Sequence, residues 1–150
     1  MSSYPSYETV LFEKADGIGW ADANIASVKL VHGDPATAER MLLAAIPSLT
    51  GERAADARRM LITVYIETSR FDLAAQLLRQ GPEAGAAPER EADWLVLDGL
   101  LQYHRGRYRE ATGHLETAMR TFRALGALAK VAQCQQTIAM CDYMAGRHAA

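Results

Sequence analysis

The sequence predicts an all-α chain built as a solenoid of paired antiparallel helices. Three observations predict it. A turn signature recurs four times, at Val31-His32-Gly33-Asp34-Pro35, Thr68-Ser69-Arg70-Phe71-Asp72, Arg105-Gly106-Arg107-Tyr108-Arg109 and Ala145-Gly146-Arg147-His148. Anchored on Gly33, Ser69, Gly106 and Gly146, the copies lie 36, 37 and 40 residues apart, and a period in that range marks stacked repeats. From Trp20 onward no stretch shows the sustained period-two alternation and β-branched enrichment of a strand. Pro and Gly stand where helices must stop, at Pro47 and Gly51, at Gly81-Pro82, and from Gly85 to Pro88.

The elements follow in order. Residues 1–18 read as an N-terminal arm or short amphipathic turn carrying Tyr4, Tyr7, Val10, Leu11 and Phe12, broken by Gly17-Ile18-Gly19. Helices are expected over 20–32, 35–47, 52–68, 71–81, 89–105, 108–125 and 127–146. Asp34 caps the second of these, and Pro35 takes the first helical position, where its missing N–H costs nothing. The repeat domain then spans 19–150, with repeats at about 19–48, 52–84 and 88–126 and a partial fourth at 127–150.

The internal register supports the pairing. Five residues after the first three turn anchors stand Ala38, Ala74 and Ala111; nine after stand Leu42, Leu78 and Leu115; twelve after stand Ala45, Gly81 and Ala118. Seven before the four anchors stand Ala26, Ile62, Gly99 and Ala139. Small residues at fixed offsets let neighbouring backbones approach, and large apolar ones fill the holes between. Trp94 opens a helix apolar on all sides, which places it at the centre of the stack. The last helix carries a line of Val131, Cys134, Ile138, Cys141 and Ala145 that must cover the helix before it. Its other side is a natural cap, or is covered by further chain or a second copy.

Composition bounds the function. The chain has 150 residues, 49% apolar and 23% charged, with net charge −2, the balance of one soluble globular domain. Nothing in that charge draws it to nucleic acid or an anionic membrane. No apolar run reaches the roughly 20 residues of a membrane span, and the start lacks the pattern of a secretory signal, so a cytoplasmic location is expected. Cys134 and Cys141 are too far apart along one helix for a disulfide and read as buried structural thiols. The four histidines fall outside any metal-ligand spacing, and no glycine-rich phosphate loop is present. No catalytic residue, cofactor or metal is expected, and the chain reads as a non-enzyme. The densest basic cluster, Arg105, Arg107, Arg109, Arg120 and Arg123, lacks an interleaved aromatic platform, which argues against nucleic acid as partner.

The stretch Gly99-Leu100-Leu101-Gln102-Tyr103-His104-Arg105-Gly106-Arg107-Tyr108-Arg109-Glu110-Ala111, continuing to Leu115 and Ala118, resembles the tetratricopeptide repeat family. The resemblance covers about residues 20–150. It departs from the family at Asp98 and Gln102, where a leucine and an aromatic are usual, at Ile62, and in the long last spacing. The resemblance implies a superhelix of three helix–turn–helix repeats and a C-terminal unpaired or capping helix. It also implies a concave groove lined by the first helix of each pair. Carried onto this sequence, that groove takes Trp20, Arg59, Thr63, Glu67, Tyr103, His104, Gln136, Met140 and Tyr143 as partner-binding residues. Trp20, Tyr103, Met140 and Tyr143 would bury apolar area, and Arg59, Glu67, His104 and Gln136 would set direction. Asp93 would repel the carboxylate that some members of the family clamp.

The expected function is a non-catalytic module binding a protein or peptide. Two alternatives remain open: a ligand-responsive module of a bacterial signalling or transcription system, and a dedicated chaperone for a secreted substrate. The last helix and the Tyr4–Phe12 arm are candidate surfaces for self-association.

Overall fold

The computed structural model describes residues 32–149. The arm expected at 1–18, nearly all of the helix expected over 20–32, and Trp20 with it lie outside the described residues. The described residues form six α-helices and no strand: α1 (Pro35–Ala45), α2 (Gly51–Glu67), α3 (Phe71–Gln80), α4 (Pro88–His104), α5 (Tyr108–Ala124) and α6 (Leu128–Ala149), with a short 3-10 turn at Ile46–Ser48. The all-helical expectation holds, and most boundaries fall within two residues of those the sequence predicts.

The turns have the geometry their residues require. Gly33, Ser69 and Gly106 all take positive φ, at 79°, 60° and 78°. Ser69 is the one non-glycine residue among the described residues to do so. At each of three helix ends a residue beyond the helix donates back across the last turn: Arg70 to Tyr65 O (2.8 Å), Arg107 to Gln102 O (2.8 Å) and Ala127 to Phe122 O (2.9 Å). A second bond nested inside each, such as Gly106 N–H to Tyr103 O at 3.0 Å, completes a Schellman closure that satisfies carbonyls the helix leaves open.

The fourth turn does not form. Gly146 lies inside α6, which runs on to Ala149. The three turns that form are each followed by a helix, whereas no helix follows α6 among the described residues. A glycine in a helix costs only about 1 kcal/mol, so nothing here outweighs continued helical hydrogen bonding.

The chain divides into a unit ending at Val64 and a second from Tyr65. In the first, the Asp34 carboxylate accepts from Thr37 N–H at 3.3 Å and Pro35 opens α1, as the sequence predicts. Ala38, Leu42 and Ala45 form the buried stripe of α1. In α2, Ala54, Ala55, Ala57, Leu61, Ile62 and Val64 are buried.

In the second unit α4 packs against α3 and α5, and α5 packs against α6. The core gathers Ala92 of α4, Ala111, Leu115, Ala118 and Phe122 of α5, and Val131, Cys134 and Cys141 of α6. Gly99 is buried, and a Cβ built there would stand 2.9 Å from Leu115 Cγ. The small-residue register thus does at α4–α5 what the sequence reading requires: it lets a leucine enter close to the backbone. It fails elsewhere. Ala139 is exposed, Gly81 ends α3 at φ 69°, and Leu78 is only half-buried. Trp94 is buried as expected, and its indole N–H finds no acceptor among the described residues.

The polar departures at Asp98 and Gln102 form a chain. Gln102 is buried, donates from Nε2 to Asp98 Oδ1 at 3.0 Å, and accepts from Arg107 at 3.4 Å. Asp98 Oδ2 stands 3.5 Å from His114 Nε2 of α5. A buried amide satisfied on both sides costs little and fixes register.

Candidate partner-binding face

α6 is a one-sided helix. Val131, Cys134 and Cys141 are buried, with Ile138 and Ala145 half-buried beside them, so the apolar line read from the sequence is its inward face. At 100° per residue, Ala132, Gln136, Ala139 and Tyr143 lie on the opposite side, and all four are exposed. Leu128 is 73% exposed, Tyr143 66% and Met140 41%; Leu125, in the turn leading into α6, is 53% exposed. Those are four of the six large apolar side chains exposed among the described residues. Leu125 and Leu128 lie at one end of the helix and Met140 and Tyr143 at the other, about 18 Å apart at 1.5 Å per residue, with exposed Ala132, Gln136 and Ala139 between them.

α4 and α6 lie side by side in the same direction. Lys130, in the first turn of α6, reaches Asp93 at 3.0 Å and Glu89 at 2.9 Å, both near the start of α4. Burial pulls the Lys130 pKa down, but the hydrogen bonds to Glu89 and Asp93 and their charges outweigh it and raise it. The same ammonium stands 5.3 Å from the Phe122 ring. Asp93 is therefore ion-paired, and because Lys130 is shared with Glu89 the three groups together keep one negative charge.

The nine candidate residues divide. Trp20 lies outside the described residues. Arg59 and Thr63 stand on α2 in the first unit, both half-buried. The Thr63 hydroxyl donates to the Arg59 carbonyl at 3.1 Å, and the Arg59 guanidinium stands 3.6 Å from Asp56. Glu67 ends α2 in the second unit and is exposed. Tyr103 is half-buried, packs against the core cluster, and meets Tyr108 edge-on at 5.7 Å between ring centres. His104 is exposed, with its ring edge-on to Tyr103 at 5.3 Å. Gln136, Met140 and Tyr143 share the exposed side of α6, and Gln133 extends their row by one turn.

Sequence reasoning missed Leu125 and Leu128, which sit in and beside a turn rather than in a helical stripe. It also missed the Lys130–Asp93 bridge, although the 37-residue separation is one repeat period, and a residue one repeat on lies on the neighbouring parallel helix.

The thiols are poor nucleophiles. Burial pushes the Cys134 pKa up, and the Asp93 charge adds to it. Burial likewise raises Cys141, with Asp142 adding and a hydrogen bond with Thr112 opposing. A buried thiol held protonated is inert. Among the described residues no three His, Cys, Asp or Glu side chains gather as a metal site, and no helix is long and apolar enough to cross a membrane. No family model matches the chain, and no curated protein or solved structure proves similar to it.

Proposed function

We propose that the chain is a non-catalytic, tetratricopeptide-like interaction module that binds a protein segment. The reading is supported above all by the exposed apolar side chains at both ends of α6 and in its leading turn, with Gln133, Gln135 and Gln136 between them and Asp142 the one formal charge on that arc. Tyr143 and Met140 would bury apolar area, worth roughly 25 cal/mol per Å² removed from water. Gln133 and Gln136 would fix orientation, since each amide both donates and accepts. On the parallel neighbour α4 exposed His104 is a further proposed contact, with half-buried Tyr103 edge-on behind it. Glu67, exposed at the end of α2 in the same unit, is a further proposed contact.

The test is photo-crosslinking in the native host. A photoreactive residue at Met140 should give one dominant protein adduct, and one at Arg120 of α5 should give none. Adding Tyr143→Ala should remove the adduct while leaving the melting temperature within about 2 °C, as expected of a surface change. Equal adducts from both positions, or none from Met140, would contradict the module.

A further inference from the structure

The second unit contains a template for what its open helix receives. Advancing 40 residues carries α4 onto α6, Pro88 onto Leu128. On one face Trp94 and Leu101 become Cys134 and Cys141, all four buried. On the opposite face Ala92, Gly99 and Tyr103 become Ala132, Ala139 and Tyr143: small, small and tyrosine in both helices. In α4 that face is occupied. Ala92 and Tyr103 pack with Ala111, Leu115, Ala118 and Phe122 of α5, and Leu115 enters the hole at Gly99. In α6 the same three positions are exposed.

The grooves alongside repeat in the same way. A cavity of about 340 Å³ between α3 and α4 is lined by Ala75, Arg79, Leu101 and Gln102, among others. A cavity of about 250 Å³ between α5 and α6 is lined by Thr112, Glu116, Cys141 and Asp142, among others. The second set is the first, advanced 37 residues on one helix and 40 on the other. Beside the first cavity stands α5, whose His114 reaches Asp98 on the cavity lining at 3.5 Å. Beside the second no helix stands among the described residues. Gly113, which lines it, has nothing within 4 Å of where a Cβ would be.

We propose that α6 receives an amphipathic α-helix from a partner protein, seated antiparallel on Ala132, Ala139 and Tyr143 as α5 is seated on α4. The inference rests on the interaction-module reading and adds the site and the chemistry of the occupant. The exposed arc of α6 from Leu128 to Gly146 carries one formal charge, Asp142, at its edge. The docking stripe must therefore be uncharged, because a charge buried there would lack a counter-ion. By the template the stripe is a small residue, a leucine four on, a small residue three further and a large apolar one four beyond that. Where α4 offers Leu95 and Val96, α6 offers Gln135 and Gln136, so the middle of the partner stripe is flanked by hydroxyl or amide groups. A second copy fits less well: α6 carries small residues at the centre of this face and no large apolar knob between Ala132 and Ala139. Two copies would set hole against hole.

The probe is a synthetic peptide of residues 108–124, stapled between positions 113 and 117, which face solvent in α5. The staple supplies the helicity that so short a peptide lacks alone. Titrated into the full chain, the peptide should bind saturably and shift the amide resonances of Ala132, Ala139 and Tyr143. Ala139→Arg should weaken binding by at least about tenfold, with a melting temperature near that of the parent because the position is exposed. The same peptide with Leu115→Glu should not bind. Absence of binding, binding indifferent to Ala139→Arg, or a concentration-dependent dimer that Ala139→Arg abolishes would overturn the proposal. Loss of the host crosslink by Tyr143→Ala, with its full retention by Ala139→Arg, would overturn the docked helix and leave the interaction module standing.

Discussion

Replacing Gly99 by alanine sets two effects of known size against each other. In an open helix the change is favourable by about 1 kcal/mol, because glycine loses more backbone freedom on folding. At this position the new Cβ would stand 2.9 Å from Leu115 Cγ and 3.2 Å from Cδ2, with the Ala111 carbonyl oxygen at 3.4 Å. Leu115 is fully buried, and Cγ is the branch point of its side chain, so it cannot swing aside as a chain end would. Overpacking of this kind costs about 1–3 kcal/mol. The propensity gain offsets part of the clash, and Gly99→Ala is expected to destabilise by up to about 2 kcal/mol. For a chain of this length that lowers the melting temperature by up to about 8 °C. The assay is thermal and urea unfolding followed by circular dichroism, run beside Leu115→Ala and the double variant. The double variant should be more stable than the sum of the two single losses by about 1 kcal/mol, since removing Leu115 Cγ removes the clash. The repeat counterpart supplies the contrast: Ala139→Gly, on an open face, should cost only the propensity term. A stabilising Gly99→Ala would refute the close α4–α5 approach on which the fold and the docking template both stand.

Three further outcomes follow from the same structure. Asp34→Ala removes the cap on Thr37 N–H and should cost about 1 kcal/mol of stability, read from the urea midpoint. Cys134 and Cys141 should resist thiol reagents at neutral pH until denaturant is added. Their folded pKa values are raised, so the unfolded chain ionises first as pH climbs past the ordinary thiol value near 9. Stability should hold below that pH and fall above it, and Cys134→Ala with Cys141→Ala should flatten that part of the profile. Lys130 is likewise raised by Glu89 and Asp93, so its contribution is present below its ordinary value of 10.5 and is lost at higher pH. Lys130→Met should lower stability at pH 7 by about 0.5–1 kcal/mol once solvent screening is allowed for.

Much of the fold was legible because glycine, proline and alanine carry backbone information directly. Gly33, Ser69 and Gly106 sit where the chain turns through positive φ, and a residue suited to that conformation is visible in sequence. The fourth signature misled for the same reason. Glycine permits a turn but does not impose one, and at Gly146 the helix continues. Ala139 shows the limit of a register argument: a small residue marks room for a neighbour, and the neighbour is not present among the described residues. Gln136, Met140 and Tyr143 were named from the family resemblance, and helical spacing accounts for their sharing the exposed side of α6. Tyr103 was harder, since α4 is covered on opposite faces and spacing cannot say which row is left open. The pairing of Asp93 was not legible because its partner, Lys130, is a full repeat away.

Cysteine accessibility along α6 tests most directly whether one face of that helix stands open for a partner. Single cysteines placed at Ala132, Gln136, Ala139 and Tyr143 should react with a thiol reagent at the rate of an unfolded peptide, while native Cys134 and Cys141 in the same molecules stay unreacted. Adding the stapled peptide should slow positions 132, 139 and 143 together. Uniform reactivity around the helix, or protection at 132, 139 and 143 before any peptide is present, would contradict the account.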